Sequence, residues 1–83
     1  MEEKRIALVG IIVEDYDAAE KVNAVLHSFG EYIIGRMGVP HRKRDISVIS
    51  VCLDAPQSIT SALSGKLGQI SGVSTKTIYS KMG

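Results

Sequence analysis

Three residues in this 83-residue chain carry side chains suited to nucleophilic or soft-metal chemistry: the single cysteine, Cys52, and two histidines, His27 and His41. A thiol nucleophile needs a base within hydrogen-bond reach, and a zinc-like site needs three or four convergent nitrogen or sulfur ligands. No second cysteine accompanies Cys52, so no disulfide forms within these residues, and neither histidine is its near neighbour in sequence. His27 falls near the end of a helical stretch, where a cationic side chain suits the helix dipole. Cys52, between Val51 and Leu53 in a strand-like run, reads as a small buried hydrophobe. A metal held between His41 and Cys52 across a subunit interface is the alternative arrangement. The expectation is no catalytic residue, no metal site and no cofactor.

Charged groups offer the next chemistry. Glu14-Asp15-Tyr16-Asp17 is an acidic turn that could take a ligand or a metal, yet carboxylates also favour a helix N-terminus. Asp17 and Glu20 have the spacing of a capping box, with Asp15 as a rival cap. His41-Arg42-Lys43-Arg44-Asp45 reads as a basic hairpin loop able to hold an anion. It lacks neighbouring aromatics for base stacking, and the net charge is only +1, so direct, specific nucleic-acid binding is not expected. Glycines occur in GRMG, SGKLG and ISGV, but none follows the first strand in a phosphate-binding pattern. Gly65 falls inside a helical stretch, where it costs about 1 kcal/mol relative to Ala and marks a close approach by backbone or ligand. Arg36, His41, Arg42, Arg44 and Gly65 are therefore the expected ligand or partner contacts.

The elements that must position these groups follow from periodicity. Arg5 to Val13 is a nearly unbroken run of strand formers, apolar in both alternations, as expected of a central strand covered on both faces. Ala18, Val22, Val25, Leu26 and Phe29 form the stripe of an amphipathic helix stopped at Gly30. Tyr32 to Val39 is a weaker strand interrupted by Gly35 and Gly38, with Pro40 suited to an edge. Ile46 to Leu53 is a third strand rich in β-branched residues. Asp54-Ala55-Pro56-Gln57 opens a second helix whose stripe is Ile59, Ala62, Leu63, Leu67 and Ile70. Val73 to Tyr79 is the last and most polar strand. Strand, helix, strand, strand, helix, strand predicts an α+β, ferredoxin-like βαββαβ sandwich, with strands one and three central and both helices on one face.

One domain over residues 1–83 is expected, with a marginal core for its size. No run reaches the ~18 apolar residues of a membrane span. MEEKR leads straight into a strand without a signal-peptide cleavage site, so a cytoplasmic protein is expected. With helices on one face only, an all-apolar central strand leaves a patch for a second copy to cover. A homo-oligomer, a dimer or a dimer of dimers, is expected, with Val9, Ile11, Val13, Ile49 and Val51 at its interface. Which face of strand one packs on the helices is left open by the residues.

Several stretches also resemble a known bacterial family, the iron-only hydrogenase system regulators. Ser61-Ala62-Leu63-Ser64-Gly65-Lys66-Leu67-Gly68-Gln69-Ile70 followed by Ser71-Gly72-Val73-Ser74-Thr75-Lys76 is the most specific match. Gly35-Arg36-Met37-Gly38-Val39-Pro40 leading into Ile46-Ser47-Val48-Ile49-Ser50, and Lys4-Arg5-Ile6 running to Val13-Glu14-Asp15, are similar too. More broadly the chain resembles ACT domains and the C-terminal domain of nickel-responsive regulators, which share the ferredoxin-like fold. The resemblance implies a regulatory, non-enzymatic role tied to iron-only hydrogenase, with a protein partner in its regulation or maturation. A small-molecule or metal sensor with a site between subunits is the alternative. The turn Glu14-Asp15-Tyr16-Asp17 lacks the glycine usual in amino-acid-binding ACT domains, and the chain lacks the dense His/Cys set of nickel sensors.

Overall fold

The computed structural model describes residues 3–81; residues 1, 2, 82 and 83 of the domain expected over 1–83 lie outside it. Four strands, β1 (Lys4–Val13), β2 (Ile33–His41), β3 (Ile46–Pro56) and β4 (Val73–Tyr79), alternate with two helices, α1 (Ala19–Ser28) and α2 (Gln57–Gly68). The sheet order is β2-β3-β1-β4, and every neighbouring pair is antiparallel. This is the expected ferredoxin-like sandwich, with the two most apolar strands in the middle. Among the described residues no helix is long and apolar enough to cross a membrane.

Side-chain alternation decides which face of β1 the helices cover. Ala7, Val9, Ile11 and Val13 point at the helices and are all but sealed from solvent, as are Ile49, Val51, Leu53 and Ala55 of β3. From the helix side Ala18, Val22, Leu26, Phe29, Leu63 and Leu67 close one continuous core over them. Val9, Ile11, Val13, Ile49 and Val51 are therefore core residues at 0–9% exposure and cannot form an oligomer interface. The opposite alternation lies open: Ile6, Leu8 and Ile12 stay about 40% exposed. Cys52, which belongs to that alternation, is only half-buried, contrary to the expected burial.

The first helix matches its expected stripe. Its entry is a single 3₁₀ turn, Tyr16–Ala18, capped by Asp15, whose carboxylate accepts the Asp17 amide at 2.9 Å. Asp15, rather than Asp17, is thus the cap. The second helix departs from expectation at Ala62, which is exposed, while Thr60 is fully buried with its hydroxyl unpartnered. Thr60 lies three and seven residues before Leu63 and Leu67, on their face, whereas Ala62 is turned about 100° away from Leu63. Pro56 closes β3 and leads into α2 from extended backbone, at φ −58° and ψ 147°. A β-bulge between Ile33 and Gly35 and the turn Arg42–Arg44, with Asp45 left-handed at φ 54°, complete the β2–β3 hairpin.

Two glycines of the family-like stretch behave oppositely. Gly72 has φ +81°, and a Cβ there would stand 2.5 Å from the Asp15 Cβ and 3.1 Å from the Asp15 nitrogen. Its carbonyl accepts the Glu14 amide at 2.7 Å, so the turn before β4 is locked against the turn after β1. Gly65, expected to mark a close approach, has nothing within 4 Å of where a Cβ would sit. Replacing Gly72 with Ala should destabilise the fold by about 2 kcal/mol or more, through left-handed strain plus the clash. Replacing Gly65 with Ala should stabilise it by about 1 kcal/mol, the helix-propensity difference. Urea midpoints at constant m-value read both; equal signs for the two variants would contradict this account.

Candidate functional site

The sheet's uncovered face is ordered by strand register into cross-strand rows. Gly35, Cys52, Leu8 and Ile78 form one row, and Val39, Val48, Ile12 and Ser74 form another. Between them lies a row of Met37, Ser50, Gly10 and Lys76. Ser50 and Gly10 are short, so a furrow crosses the middle of the face between two apolar ridges. Ile6 extends the apolar area opposite Asp54. Lys76 is the single charged side chain in the three rows. Seven exposed large hydrophobics, Ile6, Leu8, Ile12, Met37, Val39, Val48 and Ile78, share this face. Together they exceed the few hundred Å² of contiguous apolar surface that a soluble monomer usually leaves in water.

A second feature lies on the helix side. Clefts run between α1 and β2, whose helix-side positions Arg36, Gly38 and Pro40 are exposed, and they form a trench between the two. Glu20, Asn23, Ala24 and His27 line one wall at i, i+3, i+4, i+7 spacing; Arg36, Gly38 and Pro40 line the other. Three clefts of about 620, 220 and 470 Å³ run end to end along it, sharing Asn23 and Arg36 at one junction and Val13, Ala19, Pro40 and Ser47 at the next. The Arg36 Nη2 donates to Asn23 Oδ1 at 3.0 Å across the first junction. Asp17, Glu20 and Asp45 gather with Tyr16 at the far end.

The expected contact residues are divided by this geometry. Arg36 is in the trench. His41 and Arg42 line a shallow depression of about 50 Å³ with Tyr16, Pro40 and Asp45. Arg44 is exposed in the 3₁₀ turn, and Gly65 is on α2, away from β2. His41 pairs with Ile46 and Cys52 lies six residues further along β3, about 20 Å at strand spacing. One chain therefore cannot bring them to a common metal, and among the described residues no group of three His, Cys, Asp or Glu side chains could hold one. Leu8, Ile12 and Val48 are among the exposed apolar residues of the two central strands, in place of the expected Val9, Ile11, Val13, Ile49 and Val51. Ser50 and Gly10 carried the signal, because the alternation containing them is the less apolar of the two.

Comparison with known proteins places the chain. The family model "TM1266-like: Iron-only hydrogenase system regulator, putative" matches residues 5–77. The structure of the uncharacterized protein TM1266 from Thermotoga maritima superposes with a TM-score of 0.91 at 42% identity, covering 95% of this chain and all of that one. The C-terminal domain of MgtC from Mycobacterium tuberculosis gives a TM-score of 0.69 at 16% identity, covering 98% and 93% of the two chains. CPII, a nitrogen regulatory PII-like protein from Thiomonas intermedia K12, gives 0.53 at 17% identity, covering 92% and 88%. These last two share the fold alone. No curated protein sequence matches. With the family match running from the start of β1 through most of β4, the chain belongs to the TM1266-like family.

Proposed function

We propose that this protein is a single-domain cytoplasmic regulator of the iron-only hydrogenase system that works by binding rather than catalysis. Its working form is a homodimer, or a pair of such dimers, joined through the open face of the sheet, with a partner protein in hydrogenase regulation or maturation. Membership of the TM1266-like family over residues 5–77 is the observation that carries the regulatory role. The apolar open face supports the assembly. A face with ridges beside a furrow is self-complementary under a two-fold axis, where one copy's ridge fills the other's furrow. The exposed apolar area there approaches the ~800 Å² per partner of a standard interface. Such a contact would also bury Cys52 and leave Lys76 at its rim.

Two sets of substitutions separate this face from the core. Leu8→Glu with Ile12→Lys should give a folded single chain near 9.0 kDa, with self-association weakened at least ~100-fold. Val9→Lys, which buries an unpaired charge under the helices, should unfold the protein. Circular dichroism with light scattering reads both; a Leu8→Glu, Ile12→Lys variant that remains fully dimeric would contradict the interface.

The role is read in cells that carry this chain and an iron-only hydrogenase. Deleting the gene should change hydrogenase activity or transcript level, and the folded monomeric variant should reproduce the deletion. A deletion that leaves both unchanged would contradict the regulatory reading.

A further inference from the structure

We propose that the outer edge of β4, with the flank of α2 above it, is a docking surface for the same surface of a second copy, and that it joins open-face dimers into four-chain assemblies. The four-chain count rests on the open-face reading; the edge stands on separate observations. β4 ends the sheet, and among the described residues no strand lies beyond it. The Ser80 amide donates to the Ile6 carbonyl and the Glu14 amide to the Gly72 carbonyl. In the antiparallel register the even-numbered residues of β4 therefore turn their backbone groups to β1, and Thr75 and Thr77 turn theirs outward. The sheet's two edges are guarded differently. β2 carries a bulge, two glycines and Pro40. β4 holds its register over Val73–Tyr79 without a bulge, a glycine or a proline. An edge of that kind accepts a further strand readily.

What selects the occupant is α2. Its Ser64 meets Thr75 of β4 at 3.0 Å, while Lys66 reaches the Phe29 ring at the end of α1. Ser61, Ser64, Gly65 and Gly68 fall within about 100° of one another around the helix, on the flank over β4 and away from α1. Ser61, Gly65 and Gly68 are exposed, and a Cβ at either glycine would meet nothing within 4 Å. Two chains paired at β4 set their α2 helices side by side about two strand spacings apart, ~10 Å. Packed helices lie about 8–10 Å apart, closest where the facing residues are small. A lone peptide strand would fill the edge and leave that flank bare, whereas a second copy brings strand and helix together. Lys76 sets the register, because a two-fold centred on it would place two ammoniums directly opposite. Centred on Thr75, the two-fold pairs Thr75 with Thr75, Ser74 with Lys76 and Val73 with Thr77 of the other copy. The same axis brings Ser61 over Gly68 and Ser64 over Gly65, small against small; centring on Thr77 would slide these flanks past each other.

One such seam is small beside the ~800 Å² per partner of a standard interface, so single chains do not hold it at low micromolar concentration. An open-face dimer presents two seams, and once one has formed the second closes at high effective concentration. The test is sedimentation equilibrium of the whole chain and its variants at tens of micromolar, with circular dichroism to read folding. The unmodified protein should run at four times the 9.0 kDa chain mass. Thr77→Pro removes an amide that turns away from β1, and Ser61→Lys with Gly68→Lys sets like charges across the seam at exposed positions. Both variants should stay folded and fall to twice the chain mass, with association of the dimers weakened at least about 100-fold. Unmodified protein at twice the chain mass, or a Ser61→Lys, Gly68→Lys variant that keeps four times it, would overturn the inference. Failure of the open-face reading looks different: Leu8→Glu with Ile12→Lys would then stay at twice the chain mass while the edge variants fall to one chain, which keeps the seam and removes the face.

Discussion

β1 is paired along both edges, to β3 over its full length and to β4 from Ala7 to Val13, and it is apolar on both faces. Two helices can cover only one side of a four-stranded sheet. Ala7, Val9, Ile11 and Val13 meet them, and Ile6, Leu8 and Ile12 do not. At roughly 25 cal/mol for each Å² of apolar area taken from water, an uncovered face of this kind is a standing drive to associate. The small size of the chain sharpens the point, since a domain this short buries too little of its own surface to be indifferent to such a gain.

The shape of the helix layer follows from one tight joint. Gly72, left-handed and pressed on Asp15, ties the start of β4 to the end of β1, and the Glu14 amide bonds the Gly72 carbonyl. A side-chain contact, Ser64 Oγ to Thr75 Oγ1 at 3.0 Å, holds α2 on β4, and the Lys66 ammonium lies 5.4 Å from the Phe29 ring centre, joining α2 to the end of α1. β2, paired in the sheet with β3 and interrupted by two glycines and a bulge, meets the core at Ile33 and α1 through Arg36 and Asn23, and its remaining helix-side positions are exposed. The trench is the space left by that arrangement, and its small residues on both walls keep it open.

Much of this was legible in the residues. A strand apolar in both alternations can only be central, and the stripe Ala18, Val22, Val25, Leu26, Phe29 leaves no doubt of a helix or of its buried face. The element order then selects the fold. What the residues hid was relational. Either alternation of β1 would satisfy the helices, and only pairing Gly10 with Ser50 across the register shows that the small and polar positions fall together on the outer side. Thr60 shares the angle of Leu63 and Leu67 on α2 and is buried despite its hydroxyl, while Ala62 is exposed despite being apolar. Gly65 looked like a contact and is a bare surface position. Nor does any single stretch reveal that clefts run between α1 and β2, neighbours in the chain. Among the expected contact residues Arg36 has a partner on another element, Asn23, thirteen residues earlier.

Everything proposed for assembly rests on the open face being covered by a second copy of the same chain. Sedimentation equilibrium of the unmodified protein at low micromolar concentration measures this directly. The account predicts a folded species at twice the 9.0 kDa chain mass or an even multiple of it, held together as interfaces of this size are. A stable, folded species at the single-chain mass, with Leu8, Ile12 and Val48 left in water, would contradict it.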